Sequence, residues 1–107
     1  MAATPEAKVK AAVRRLLDKH GAYYAMPIGS GYGNAGVPDF LCCVPTPQGV
    51  GVFLAIEAKA GINKPTALQE RHLDKIAQAG GVSMVVNEEG LAGLDAVLTH
   101  LKTKEHP

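Results

Sequence analysis

Apolar and polar positions along the chain fall into short segments whose period changes from helical to strand-like and back. Val9, Ala12, Val13, Leu16 and Leu17 share one helical face; Thr4 is placed to cap that helix, Pro5 suits its first turn, and His20-Gly21 end it. Residues 22–28 read as a strand that runs into a glycine-rich loop over 29–36. Two further β-like runs, 37–44 and 50–60, flank the turn signal Pro45-Thr46-Pro47-Gln48-Gly49, which predicts a hairpin. A second helix is expected from about 65 to 79, stopped by Gly80-Gly81, followed by a short apolar strand over 82–86. Leu91, Leu94, Val97, Leu98 and Leu101 mark a terminal helix, and 103–107 a frayed end. The order αβββαβα, without repeats or a long linker, predicts one α/β (α+β) domain over 1–107, a sheet flanked by helices.

Strand alternation then singles out polar residues in apolar surroundings. Val52, Leu54, Ile56 and Ala58 form one apolar face, and Phe53, Ala55, Glu57 and Lys59 the other. A carboxylate and an ammonium therefore project side by side from the end of a strand that otherwise reads as buried. Asp39 shares a face with Leu41 and Cys43 and follows Pro38, which cannot donate to a ladder, so it belongs at a strand's start or at a bulge. Antiparallel pairing through the 45–49 turn would bring Asp39 toward Glu57. Glu6 falls within the arc of Val9, Val13 and Leu17, though a first-turn Glu also suits the helix dipole. Gln69 lies in the arc of Leu68, His72, Leu73, Ile76 and Ala77, though Thr66-Ala67-Leu68-Gln69 is also a capping-box pattern. Glu57 and Lys59 could equally be a solvated surface pair. Taken together, two or three carboxylates with a lysine and an amide are what a hard divalent cation needs to promote phosphodiester hydrolysis.

Pro38-Asp39, then seventeen residues, then Glu57-Ala58-Lys59 resembles the PD-(D/E)xK motif of the restriction-endonuclease-like nucleases. The wider set adds Glu6, Gly36-Val37-Pro38-Asp39, Glu57-Ala58-Lys59-Ala60-Gly61, Gln69 and Gly80-Gly81-Val82. It is similar to the VRR-Nuc (virus-type replication-repair nuclease) domain over nearly the whole chain, in the standalone form typical of phages and bacteria. The resemblance implies a restriction-endonuclease-like αβββαβ core with a central mixed sheet, extended here by a C-terminal helix, and Mg²⁺- or Mn²⁺-dependent endonuclease activity on DNA. It implies Asp39 and Glu57 as direct metal ligands and the Ala58 carbonyl as another. Glu6 would hold a second metal or water at the first, Lys59 would position the nucleophile, and Gln69 would support the site. It further implies a homodimer acting on branched or four-way-junction DNA in phage replication or repair. Ala58 stands where a larger β-branched residue is common, but its share in the site would be backbone only.

The 11 Lys and Arg nearly balance the 10 Asp and Glu, so bulk charge does not announce a nucleic-acid partner and phosphate contacts must come from local clusters. Basic residues gather at Lys8, Lys10, Arg14, Arg15 and Lys19, and again at Lys64, Arg71 and Lys75. Of these, Lys8, Lys10, Arg14, Lys64 and Arg71 are candidate DNA contacts together with Ser30, Tyr32 and Asn34 of the glycine loop, although solvated helix faces carry such charges anyway. Gly31-Tyr32-Gly33-Asn34-Ala35-Gly36 also fits G-x-G-x-x-G, but a dinucleotide fingerprint must open a helix and this one opens a β-like run. No Gly-Lys-Ser/Thr completes a phosphate loop, so no nucleotide cofactor is expected. A catalytically inactive nucleic-acid-binding module on the same fold is the alternative class; the presence of every member of the site set argues against it. Short apolar runs and the lack of a signal-type apolar region predict a cytoplasmic chain with no membrane partner, in a bacterial host cell if phage-encoded. Adjacent Cys42 and Cys43 are expected as reduced, packed thiols. His20, His72, His100 and His106 show no metal-site spacing and are expected to be structural or surface residues.

Overall fold

The computed structural model describes residues 3–28 and 35–103. Helix α1 (Pro5–Lys19) starts as its sequence directs: Thr4 Oγ1 accepts a hydrogen bond from the Ala7 amide at 3.1 Å, and Pro5 needs no partner for the N–H it lacks. Strands β1 (Tyr23–Ala25), β2 (Phe40–Val44), β3 (Val52–Ala58) and β4 (Val82–Val86) form one sheet in that spatial order. The first three run antiparallel, and β4 lies parallel to β3 through a crossover that contains α2 (Ala67–Gln78). A 3-10 turn, Glu88–Gly90, leads into α3 (Leu91–Thr103). The mixed sheet, its flanking helices and the element order are those expected, whereas several boundaries are not. Strand β1 ends before Pro27 and β2 begins after Pro38, so both are shorter than apolarity suggests, because proline has no N–H for a ladder. Helix α2 begins at Ala67 because Thr66 is its cap: Thr66 Oγ1 accepts from the Gln69 amide at 3.2 Å, and Gln69 Oε1 accepts from the Thr66 amide at 2.9 Å.

Residues 54–58 of β3 are buried, so this strand reads as a continuous apolar run. One sheet face, with Leu54, Ile56 and Ala58 beside Phe40, Cys42, Val44 and Val86, packs on Val9, Val13 and Leu17 of α1 and on Leu94, Leu98 and Leu101 of α3. The two helices are joined at their flank by the buried His20, whose Nε2 lies 2.6 Å from Asp95 Oδ1. That bond, with Lys19 nearby, holds the Asp95 carboxyl below its usual range. Helix α2 covers the opposite face over β3 and β4. Tyr23, Cys43 and Phe53, placed side by side across three strands by the register, stay open there; Tyr23 is 75% exposed and Phe53 46%. Alternation thus separates the two thiols. Cys42 is packed, with its pKa pushed up to about 12 by burial, while Cys43 is exposed, contrary to the expectation that both are packed. No described helix is long and apolar enough to cross a membrane.

Candidate active site

The register that pairs Phe40 with Ile56, carried one residue further, sets Asp39 opposite Glu57, and carried two sets Pro38 opposite Ala58. Asp39 sits in a bend just ahead of β2 rather than in the ladder. Its Oδ2 accepts from the Ala58 amide at 2.9 Å and so replaces the strand partner that β2 no longer offers. The Lys59 amide donates to the Val86 carbonyl, so along an alternating strand Ala58 turns its own N–H and C=O toward β2. There Pro38 has no N–H to give the Ala58 carbonyl. The same proline that shortens β2 therefore leaves a backbone acceptor beside Asp39.

Glu57 is 2% exposed, its Oε1 is buried without a hydrogen-bond partner, and its Oε2 lies 3.6 Å from Lys59 Nζ. Burial, reinforced by the negative charge of Asp39 and opposed by Lys59, pushes its pKa up to about 7. The segment after Lys59 is held by the end of β4: the Gly61 amide donates to Glu88 Oε1 at 2.8 Å, and Asn87 Nδ2 donates to the Gly61 carbonyl at 3.2 Å. Before β2, Gly36 has φ +80°, and a Cβ there would fall 2.6 Å from Leu68 Cγ and 3.1 Å from His72 Cδ2. Only glycine lets this backbone dock on α2 and deliver Asp39 to the strand end. A bend and β2 follow Gly36, so the helix that a dinucleotide fingerprint requires is missing.

Asp39, Glu57, Ala58 and Lys59 are thus brought together. Among the described residues Glu6 is joined to them through Lys10, whose Nζ lies 3.7 Å from Glu6 Oε2 and 3.4 Å from Asp39 Oδ1. Lys10, expected as a DNA contact, is an ion-pair partner of Asp39 and Glu6; its spacing of four from Glu6 was the available signal for the second of these. Gln69 spends Oε1 on the α2 cap, and no hydrogen bond among the described residues joins it to Asp39, Glu57 or Lys59. Lys8, Lys64 and Arg71 are exposed, and Arg14 Nε lies 3.5 Å from Tyr24 Oη on the same helix flank as Lys10. Ser30, Tyr32 and Asn34 lie outside the described residues. Sequence reasoning did not single out Asn87 and Glu88, whose partners are 26 and 27 residues away.

Among the described residues no three acidic, His or Cys side chains converge as a ready cation cage. Two carboxylates, one with an unbonded buried oxygen, and a backbone carbonyl without a ladder donor nevertheless fit Mg²⁺ or Mn²⁺, which take oxygen ligands and retain water in the remaining positions.

Two solved structures are similar to the chain. One, described as a VRR_NUC domain, is 25% identical with a TM-score of 0.70, covering 92% of this chain and 98% of its own. The other, described as a VRR_NUC domain protein, is 15% identical with a TM-score of 0.60, covering 97% of this chain and 96% of its own, a likeness of fold. No family model and no curated protein sequence matches the chain.

Proposed function

We propose that this chain, a VRR-Nuc domain and hence a domain of nuclease type, is a Mg²⁺- or Mn²⁺-dependent DNA endonuclease whose site is Asp39, Glu57, the Ala58 carbonyl and Lys59. The observation that carries this reading is the buried Glu57, with one oxygen unbonded, set opposite Asp39 at the end of β3 with Lys59 beside it. Asp39, Glu57 and the Ala58 carbonyl would hold the divalent cation, which would supply polarisation of the scissile phosphate and a more acidic attacking water. The Ala58 amide fixes Asp39 Oδ2, which leaves Oδ1, approached by Lys10 Nζ at 3.4 Å, as the oxygen for ligation. Lys59, anchored through its backbone to β4, presents an ammonium that orients the nucleophile or offsets charge growing on the phosphate. Exposed Lys8, Lys64 and Arg71, with Arg14, supply phosphate contacts, as would Ser30, Tyr32 and Asn34.

The substrate we propose is branched or four-way-junction DNA, cut by a homodimer. Paired cuts need two sites of opposed polarity, which a two-fold dimer supplies. The open row Tyr23, Cys43 and Phe53, on the sheet face that also carries Glu57, is a surface that such a dimer would cover. Linear, nicked, flapped and four-way-junction DNA, each with Mg²⁺, Mn²⁺, Ca²⁺ or chelator, form the test. Cleavage in Mg²⁺ and Mn²⁺, binding with little cutting in Ca²⁺, and none in chelator are expected. Full activity in chelator overturns the metal site, cutting confined to flaps or ends overturns the junction substrate, and binding without cutting in any metal leaves an inactive binding module. Light scattering at tens of micromolar should give a dimer mass; a monomer overturns the assembly.

A further inference from the structure

The carboxylate best placed to ligate a cation is already engaged by a lysine. Asp39 Oδ2 is committed to the Ala58 amide at 2.9 Å, so Oδ1 is its free ligating oxygen, and Lys10 Nζ stands 3.4 Å from it. The same ammonium lies 3.7 Å from Glu6 Oε2 and bridges two carboxylates from different elements. Lys59 takes the corresponding position on Glu57 at 3.6 Å, but it is only 13% exposed, whereas the Lys10 side chain is 33% exposed on the flank of α1. We propose that Lys10 is a built-in, displaceable counter-ion, which occupies Asp39 Oδ1 in the cation-free protein and must swing away when a divalent cation binds. This inference rests on the metal site described under the proposed function.

The electrostatics favour such a movement. A Mg²⁺ ion about 2.1 Å from Oδ1 would lie at most about 5.5 Å from an ammonium held 3.4 Å from the same oxygen, and like charges that close repel strongly. Lysine has a flexible four-carbon stem and is strongly hydrated, so it can leave where a buried Arg fork would not. Its release also gives it a second task. The freed ammonium stands next to Arg14, one turn further along the same helix flank, where a DNA phosphate drawn to the cation would arrive. Cation binding and DNA binding would thereby reinforce one another, and the bare site would hold cations weakly without DNA.

Mn²⁺ alone is titrated into the full chain without DNA, with free Mn²⁺ followed by its paramagnetic resonance signal. Lys10→Met should bind Mn²⁺ about tenfold more tightly than the wild type at low salt, with the gap narrowing as ionic strength rises. Lys10→Arg, whose guanidinium leaves a carboxylate less readily, should bind Mn²⁺ no more tightly than the wild type, and Lys102→Met, which removes a charge from the far end of α3, should stay near it. Lys10→Gln serves if the methionine variant does not melt cooperatively. Unchanged or weaker Mn²⁺ binding in both neutral variants overturns the proposal and leaves Lys10 a plain phosphate contact, even if DNA affinity falls. If no variant binds Mn²⁺, and the wild type does not either, the metal site itself falls.

Discussion

Glu57 is a carboxyl on a strand buried from both sides, with a lysine near one oxygen and nothing bonded to the other. Its pKa rises from 4.5 to about 7, first because burial disfavours the charged form and second because Asp39 repels it. For an acid raised on folding, the contribution to stability is fully present below the unfolded pKa and is lost as pH climbs through the folded one. In chelator the protein should therefore lose stability between about pH 4.5 and 7, by at most roughly 3 kcal/mol, and then level off. Glu57→Gln should abolish that slope and melt higher than the wild type at pH 8. Mn²⁺ should raise the melting temperature of the wild type alone, since a bound cation favours the carboxylate. Thermal melts across pH check this; parallel profiles for the two proteins would contradict it.

At the level of elements, local chemistry was legible and long-range partnership was not. Thr4 and Thr66 announce helix starts through side chain to backbone bonds that span three residues, and both form. Strand β4 occupies the expected 82–86, because glycines precede it and every residue of it but Ser83 is apolar. Alternation gave the face on which each of Asp39 and Glu57 falls within its own strand, and the pairing of the two strands was needed to bring them opposite one another. The partnership of Lys10 with Asp39 could not be read, because it depends on where α1 crosses the sheet end, 29 residues away in sequence. Nor could the attachment of Gly61 to Asn87 and Glu88. Gln69 shows the limit most clearly, since one amide suits both a cap and a site. The cap bonds are the ones formed, so Gln69→Ala should lower stability by about 1 kcal/mol and leave cleavage within a few-fold of wild type. Denaturant melts and cleavage assays check this together; unchanged stability with lost cleavage would instead make Gln69 a support of the site.

Across the whole molecule the sheet divides its labour. One face is given over to the core under α1 and α3, and the other carries α2, an open apolar row and, at the end of β3, the two carboxylates. Because the site hangs from the strand end rather than from the core, its chemistry can be removed without removing what holds the fold. Asp39→Asn is the sharpest instrument for that separation, since the amide oxygen can still accept from the Ala58 N–H while the charge that would hold a cation is gone. The deciding measurement is the rate of four-way-junction cleavage by Asp39→Asn in Mn²⁺, beside the wild type and with both melting temperatures recorded. A loss of about a hundredfold or more, with melting within a few degrees of wild type, is the predicted result. Cleavage at the wild-type rate by a folded Asp39→Asn protein would contradict it.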